Sequence, residues 1–123
     1  MDLTEIDPPR VFKVGEPSLS LRHCADLELA PDEQVTLTSE SGTEFDIVRK
    51  SWGYYGTPSL NRRLPDHGLR PALALSRGAM YLLLVEAGNE DEFAAYLDGQ
   101  SMELVAWLDT DEAITDAAEK LRS

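Results

Sequence analysis

The sequence contains very few of the residues that build disulfides and metal sites. Among its 123 residues there are one cysteine, Cys24, and two histidines, His23 and His67. A single cysteine excludes an internal disulfide. His23 and Cys24 are neighbours on a predicted strand, so their side chains point to opposite faces and are poorly placed to share one metal ion. We therefore expect no metal site and no cofactor.

Long apolar runs and a signal pattern are also missing. No run of apolar residues reaches the roughly 18 that a membrane-spanning helix needs. The N-terminus does not show a positively charged stretch followed by an apolar one, which is the pattern of a secretory signal. Together with the lone cysteine, these absences predict a soluble protein of the cytoplasm.

Positive charge is scarce as well. The chain carries 11 Lys and Arg against 23 Asp and Glu, which gives a formal net charge of −12. Such a chain repels the phosphates of nucleic acid and anionic lipid, so neither duplex nucleic acid nor a membrane is an expected partner. Hydrophobic residues make up 42% of the sequence, which is enough for a folded core. We predict one small domain over residues 1–123, with residues 1–9 flexible.

Alternation of apolar and polar residues predicts several strands. From Leu19 to Leu29 every odd position except His23 is apolar, which is typical of a half-buried strand and turns His23 inward. Hairpins are predicted around Ser41-Gly42 and Arg77-Gly78, because each pair joins two strand-like runs. The other predicted strands are Val11–Val14 and Leu104–Leu108.

Helix signals come late in the chain. One helix is predicted between Asn89 and Gly99 and another from Thr110 onwards, each with one apolar face. A single short helix turn fits between Thr57 and Pro65. This order of elements predicts the α+β class: a mostly antiparallel sheet of barrel or sandwich type, with two C-terminal amphipathic helices.

One segment reverses the charge of the chain. Between Arg49 and Arg77 there are six basic residues and one acidic residue, so its local net charge is +5. It also contains Trp52, Tyr54 and Tyr55 together with turn-forming glycine and proline. Fixed positive charge beside flat rings is typical of a surface that holds an anionic, partly planar ligand. We call residues 49–77 the basic-aromatic segment.

The backbone of this segment gives a second reason to expect an anion. A helix that starts after Thr57 would present unpaired N–H groups, and the hydroxyls of Thr57 and Ser59 would donate further hydrogen bonds. Arg62 or Arg63 would supply the charge, and the tyrosines would stack on a sugar or base. The predicted ligand-binding residues are Lys50, Trp52, Tyr54, Tyr55, Thr57, Ser59, Asn61, Arg62, Arg63 and His67.

Three functions fit these features. The first is a small accessory domain that binds an anionic metabolite, such as a phosphorylated sugar, a nucleotide or a carboxylate, through the basic-aromatic segment. The second is an interaction module that docks on a larger bacterial biosynthetic enzyme, with Trp52, Tyr54 and Tyr55 as anchors. The third is a small isomerase or lyase that uses Asp66, His67 and one of those tyrosines.

A simpler interpretation needs no ligand: Trp52 and one tyrosine fill the core, and the arginines pair with surface carboxylates. A cleft with converging arginine and tyrosine side chains would favour the first function, and a flat exposed aromatic patch would favour the second. A histidine close to a carboxylate inside such a cleft would favour the third. The sequence leaves the oligomeric state open.

Overall fold

The computed structural model describes residues 1–15, 18–56 and 59–123. In this part of the chain there are eight strands and three helices, and every strand pair is antiparallel. In chain order they are β1 (Asp2–Val14), β2 (Leu19–Glu28), β3 (Gln34–Thr38), β4 (Glu44–Lys50), β5 (Gly53–Gly56), α1 (Arg63–Asp66), β6 (Leu69–Ser76), β7 (Ala79–Glu86), α2 (Glu90–Gly99), β8 (Glu103–Trp107) and α3 (Asp111–Arg122). The predicted α+β class with mostly antiparallel sheets is confirmed.

The described strands form three separate sheets. β1 pairs with β2, the second sheet has the order β3-β4-β5, and the third has the order β7-β6-β8. The two predicted hairpin turns are present, and Gly42, Arg77 and Gly78 have φ of +91°, +51° and +80°. These left-handed conformations are the ones that tight reversals use. The expectation of a barrel is wrong, because the strands are divided among three sheets and do not close.

β1 and β2 form a long two-stranded ribbon. β1 begins at Asp2, so residues 2–9, which the sequence predicts to be flexible, are part of a strand. The sequence predicts a strand only from Val11 onwards, because Pro8 and Pro9 lack the N–H that a strand ladder uses. The ladder passes these prolines through an irregularity at which the register shifts.

β2 has the predicted alternation but not the predicted packing. His23 is half-buried on the face that the odd positions form. Leu21 and Leu27 on the same face are each 45% exposed. Alternation determines which side chains share a face, but it does not establish that another element covers that face. The expected inward packing of this face is therefore wrong.

The core lies in the third sheet and in the helices beside it. β6 is the central strand of that sheet, so both of its faces contribute buried side chains. α1 contacts β6, and α2 contacts β7 and β8. The buried apolar residues of the described chain are Leu64, Leu69, Pro71, Ala72, Ala74, Val85, Leu97 and Leu108.

Hydroxyl groups of the β3–β4 turn connect the second sheet to the third. Ser41 and Thr43 donate hydrogen bonds to the two carboxylate oxygens of Glu86, at 2.8 and 2.9 Å. Glu86 is the last residue of β7. The hydroxyls of Ser39, Ser41 and Thr43 lower the pKa of Glu86, because they stabilise its charged form.

The sequence predicts one helix start well and another poorly. At α3 the Thr110 hydroxyl accepts a hydrogen bond from the Ala113 N–H at 3.1 Å, so the predicted cap is confirmed. α1 instead begins at Arg63 and includes Pro65, which the sequence predicts as the residue that ends this helix. Pro65 is tolerated because it lies in the first turn, where an N–H has no helical partner.

We predict that Leu64→Ala destabilises the protein by about 2 to 4 kcal/mol, because it leaves a cavity beneath α1. Leu64 is 1% exposed and is among the largest fully buried side chains. The matched control is Leu121→Ala, because Leu121 is 86% exposed. Urea denaturation measures both changes, and the control is expected to stay within about 0.5 kcal/mol of the wild type. Equal effects of the two substitutions would show that α1 is not packed on the sheet.

Candidate functional site

The basic-aromatic segment runs from the end of β4 through β5 and α1 to β6 and its turn. One of its predicted site residues, Thr57, lies outside the described residues. A Cβ atom at Gly56 would overlap the ring of Phe45, so any other residue there would force that ring to shift. The absence of that carbon lets β5 lie close beside the ring.

Lys50 and Arg63, two of the predicted ligand-binding residues, pair with carboxylates of the chain. Lys50 Nζ lies 2.5 Å from Asp32 Oδ1, and this contact raises the pKa of Lys50. Arg63 Nη2 lies 3.4 Å from Asp46 Oδ2. The positive charge of both side chains is therefore balanced within the protein.

Asn61 and Arg62 hold one carboxylate between them. Asn61 Nδ2 donates a hydrogen bond to Asp111 Oδ1 at 2.7 Å, and Arg62 Nη2 lies 3.3 Å from the same oxygen. Asp111 is the first residue of α3. Two side chains that the sequence predicts to bind an anion thus bind an anionic group of their own chain.

Arg70 has a structural role that the sequence does not reveal. Its Nε and Nη1 lie 2.7 Å from Asp109 and 3.1 Å from Glu90, and these carboxylates raise the pKa of Arg70. The guanidinium carbon lies 4.0 Å from the centroid of the Trp107 ring. Arg70 therefore connects β6 to the end of β8 and to the start of α2.

The aromatic residues of the segment lie on the surface. Trp52 and Tyr54 are 70% and 64% exposed, and Tyr55 is also exposed. The rings of Trp52 and Tyr55 are stacked, with centroids 6.4 Å apart and planes 18° apart. The guanidinium carbon of Arg49 lies 5.3 Å from the Tyr54 centroid. We call Trp52, Tyr54 and Tyr55 the aromatic patch. Because Trp52 is exposed, the interpretation that it fills the core is wrong.

An acidic cleft, which the sequence does not predict, lies beside the aromatic patch. It has a volume of about 370 Å³. Cross-strand pairing of β1 and β2 places Asp2 opposite Glu28, and Thr4 opposite Asp26. These carboxylates are far apart in the sequence, so only the register of the ribbon brings them together. The lining residues are Asp2, Thr4, Asp26, Leu27, Glu28, Leu29, Arg49 and Tyr54.

A second cleft, of about 410 Å³, has an almost entirely apolar lining. It lies between residues of the second and third sheets and includes Tyr55 from the aromatic patch. None of the basic residues of the basic-aromatic segment lines it, so it offers no charge to an anion. Its lining residues are Phe45, Tyr55, Gly56, Leu60, Leu64, Leu82 and Leu84.

The remaining predicted residues lie around α1. The Ser59 hydroxyl accepts a hydrogen bond from the Arg63 N–H at 2.8 Å. His67 Nδ1 lies 3.5 Å from Glu44 Oε2. Asp66, the proposed catalytic partner of His67, is an exposed residue at the end of α1. The enzyme hypothesis stays a prediction.

Comparisons with known proteins supply no relative: no family model matches the chain, and no curated protein or solved structure is significantly similar to it. None of the described helices is long and apolar enough to cross a membrane. The features of the chain that indicate a function are therefore the aromatic patch, the acidic cleft and the ion pairs.

We predict that Thr36→Val raises the pKa of Asp46. The Thr36 hydroxyl donates a hydrogen bond to Asp46 Oδ1 at 2.7 Å, and this bond holds the pKa of that carboxyl below its usual value. Arg63 lowers the pKa of Asp46 as well, but by less. A carboxyl with a lowered folded-state pKa stabilises the fold above a pH of about 4, and this stabilisation is lost as the pH falls further.

A carboxyl-detected NMR titration measures the pKa of Asp46 directly. The control is Thr38→Val on the same strand, which is expected to leave the pKa of Asp46 unchanged. The same pKa in Thr36→Val as in the wild type would show that the hydroxyl does not stabilise the carboxylate in solution.

Proposed function

We propose that this protein is an interaction module that docks on a protein partner with a basic surface, through the aromatic patch and the acidic cleft. The observation that carries the proposal is the exposure of Trp52 and Tyr54, at 70% and 64%, on a segment whose arginines are mostly engaged by the chain's own carboxylates. Large aromatic side chains are frequent anchors of protein interfaces.

The stacking of the rings favours docking over a core role. Trp52 and Tyr55 hold each other in a fixed geometry, so little side-chain freedom is lost when a partner covers them. Tyr54 already accepts a guanidinium on its ring face, from Arg49. This contact supports the idea that arginine or lysine side chains of a partner fit the patch.

The charge of the neighbouring cleft indicates the chemistry of the partner. Asp2 and Glu28 lie directly opposite each other on the ribbon, and like charges in that position repel. Basic side chains of a partner would relieve this repulsion. The net charge of −12 would also accelerate the approach of a basic surface.

An arginine-rich peptide is a suitable probe for this site, and isothermal calorimetry measures its binding. We predict that Asp26→Asn with Glu28→Gln weakens binding about fivefold, which corresponds to about 1 kcal/mol. The matched control removes the same charge from α3, by Glu112→Gln with Glu119→Gln, and is expected to bind nearly as well as the wild type.

The aromatic contribution is tested in the same titration by Trp52→Ala, with Tyr96→Ala as the control. Tyr96 is an exposed aromatic residue on α2, outside the patch. Equal losses in the site variants and in their controls would mean that the peptide responds only to net charge, and would overturn the proposal.

A second candidate function is the binding of an anionic metabolite, a phosphorylated sugar, a nucleotide or a carboxylate, by the basic-aromatic segment. The observation that favours it is that Asn61 and Arg62 bind the Asp111 carboxylate, through a hydrogen bond and an ion pair. The same two side chains would hold a ligand carboxylate or phosphate once Asp111 moves away. In this account Asp111 competes with the ligand.

For this candidate we predict that Asp111→Asn increases the thermal stabilisation that such anions confer, because the variant no longer supplies the competing carboxylate. Arg62→Ala with Arg63→Ala is expected to abolish the stabilisation while the fold stays intact. The control is Glu112→Gln, which removes a neighbouring carboxylate of the same helix turn. An absence of anion-dependent stabilisation in Asp111→Asn would eliminate this function.

A further inference from the structure

We propose that two copies of this protein associate face to face through the apolar face of the β1–β2 ribbon. This interface lies on the face of the ribbon opposite the carboxylates of the acidic cleft, and Leu27 is the residue that the two surfaces share. Four observations carry the inference: the composition of that face, its orientation, the accessible area of the chain and the symmetry of its charges.

One face of the ribbon is mostly apolar. Directly paired residues of antiparallel strands share a face, and so do alternate residues of one strand. The exposed fractions of Leu3, Leu21 and Leu27 on this face are 56%, 45% and 45%. The residues of the apolar face are Leu19, Leu21, His23, Ala25 and Leu27 of β2, with Val14, Phe12, Arg10, Glu5 and Leu3 of β1.

The ribbon turns its polar face, and not its apolar face, towards the second sheet. The polar face lines the acidic cleft, with Asp2 and Glu28 beside Tyr54 of the second sheet. The apolar face therefore points away from these carboxylates, and of its residues named above Leu27 alone also lines the cleft. A two-stranded ribbon is only marginally stable in water unless another element covers its apolar face.

The accessible surface area of the chain is larger than a monomeric protein of its mass usually exposes. It is 8752 Å², whereas monomeric proteins of this mass expose about 6,600 Å². The difference is about 2,200 Å², and a stable interface buries roughly 800 Å² on each partner. A dimer through the ribbon would therefore remove part of this excess without any change in the fold.

The apolar face is complementary to itself. A two-fold axis across the strands at Cys24 places Leu27 of one copy over Leu21 of the partner subunit, since both are three residues from the axis. Glu5 pairs with Ala25, and Arg10 pairs with His23. Since Ala25 and His23 are each one residue from Cys24, Glu5 and Arg10 lie at equal distances on opposite sides of the axis. The same axis therefore places Glu5 over Arg10 of the partner subunit.

A contact with the Phe12 ring positions Arg10 on the apolar face. Its guanidinium carbon lies 4.8 Å from the centroid of the Phe12 ring on the same face. Glu5 and Arg10 have opposite charges, so the face itself is nearly neutral. The other carboxylates of the chain repel a second copy only weakly, because salt at physiological strength screens charges beyond about 8 Å.

Sedimentation velocity over a concentration series tests the dimer. The wild type is expected to shift from the 13.6 kDa monomer to twice that mass as the concentration rises. Leu21→Glu buries a charge at the interface and is expected to raise the dissociation constant at least about tenfold. Leu37→Glu is the matched control, because Leu37 is a similarly exposed leucine on β3, at 50% against 45% for Leu21, and lies outside the interface.

Charge exchange tests the two-fold register. Glu5→Arg and Arg10→Glu, made singly, place like charges opposite each other and are expected to weaken association several-fold. The double variant restores two opposite pairs and is expected to recover the wild-type dissociation constant. Circular dichroism establishes that each variant is folded before it is compared.

A wild type that stays monomeric at every concentration would overturn the proposal. A dimer that Leu21→Glu and Leu37→Glu disrupt equally would do the same, because association would then lie outside the ribbon. Failure of the double charge exchange to restore association would overturn the two-fold arrangement.

Discussion

The limited size and one-sided position of the core are the constraint on which the rest of the structure depends. Every buried apolar residue of the described chain lies between residues 64 and 108. Arg70 connects the elements around this core through two carboxylates and the Trp107 ring. The described residues of the ribbon and of the β3-β4-β5 sheet contribute no buried apolar side chain, so these elements are stabilised mainly by their own ladders and by hydrogen bonds such as those to Glu86.

Internal charge balance changes the meaning of the basic-aromatic segment. Its composition is that of an anion-binding surface, but most of its cations contact a carboxylate that folding brings near. Some of these contacts, such as Arg62 with Asp111, are exposed and therefore weak. Others, such as Arg70 with Asp109, are partly buried and hold elements together. What the segment presents to a partner is chiefly its aromatic rings.

The sequence predicts features that depend on neighbouring residues. The alternation in β2, the turn at Arg77-Gly78 and the cap at Thr110 follow from local backbone and side-chain chemistry, and all three are present in the structure. The faces that lie inward do not follow from local chemistry. Leu21 belongs to an apolar face in the sequence pattern and in the structure, yet it is exposed. Covering that face would require an element from elsewhere in the fold.

Long-range pairing is the part of the site that the sequence does not predict. Asp111 reaches Arg62 from 49 positions away, and only the folded chain makes that pair. The acidic cleft likewise depends on the register that sets Asp2 against Glu28. Correct prediction of the ribbon across Pro8 and Pro9 would have revealed that cleft. The ion pairs require the tertiary arrangement of α1 and α3.

Hydrogen–deuterium exchange of the dilute protein, followed residue by residue, tests most directly the claim that stability is concentrated between residues 64 and 108. Amide groups of a core strand exchange only when the whole domain unfolds, whereas those of a weakly packed ribbon exchange through local opening. We expect slow exchange in β6 and much faster exchange in β1 and β2. Equal protection of β2 and β6 in the dilute protein would contradict this expectation.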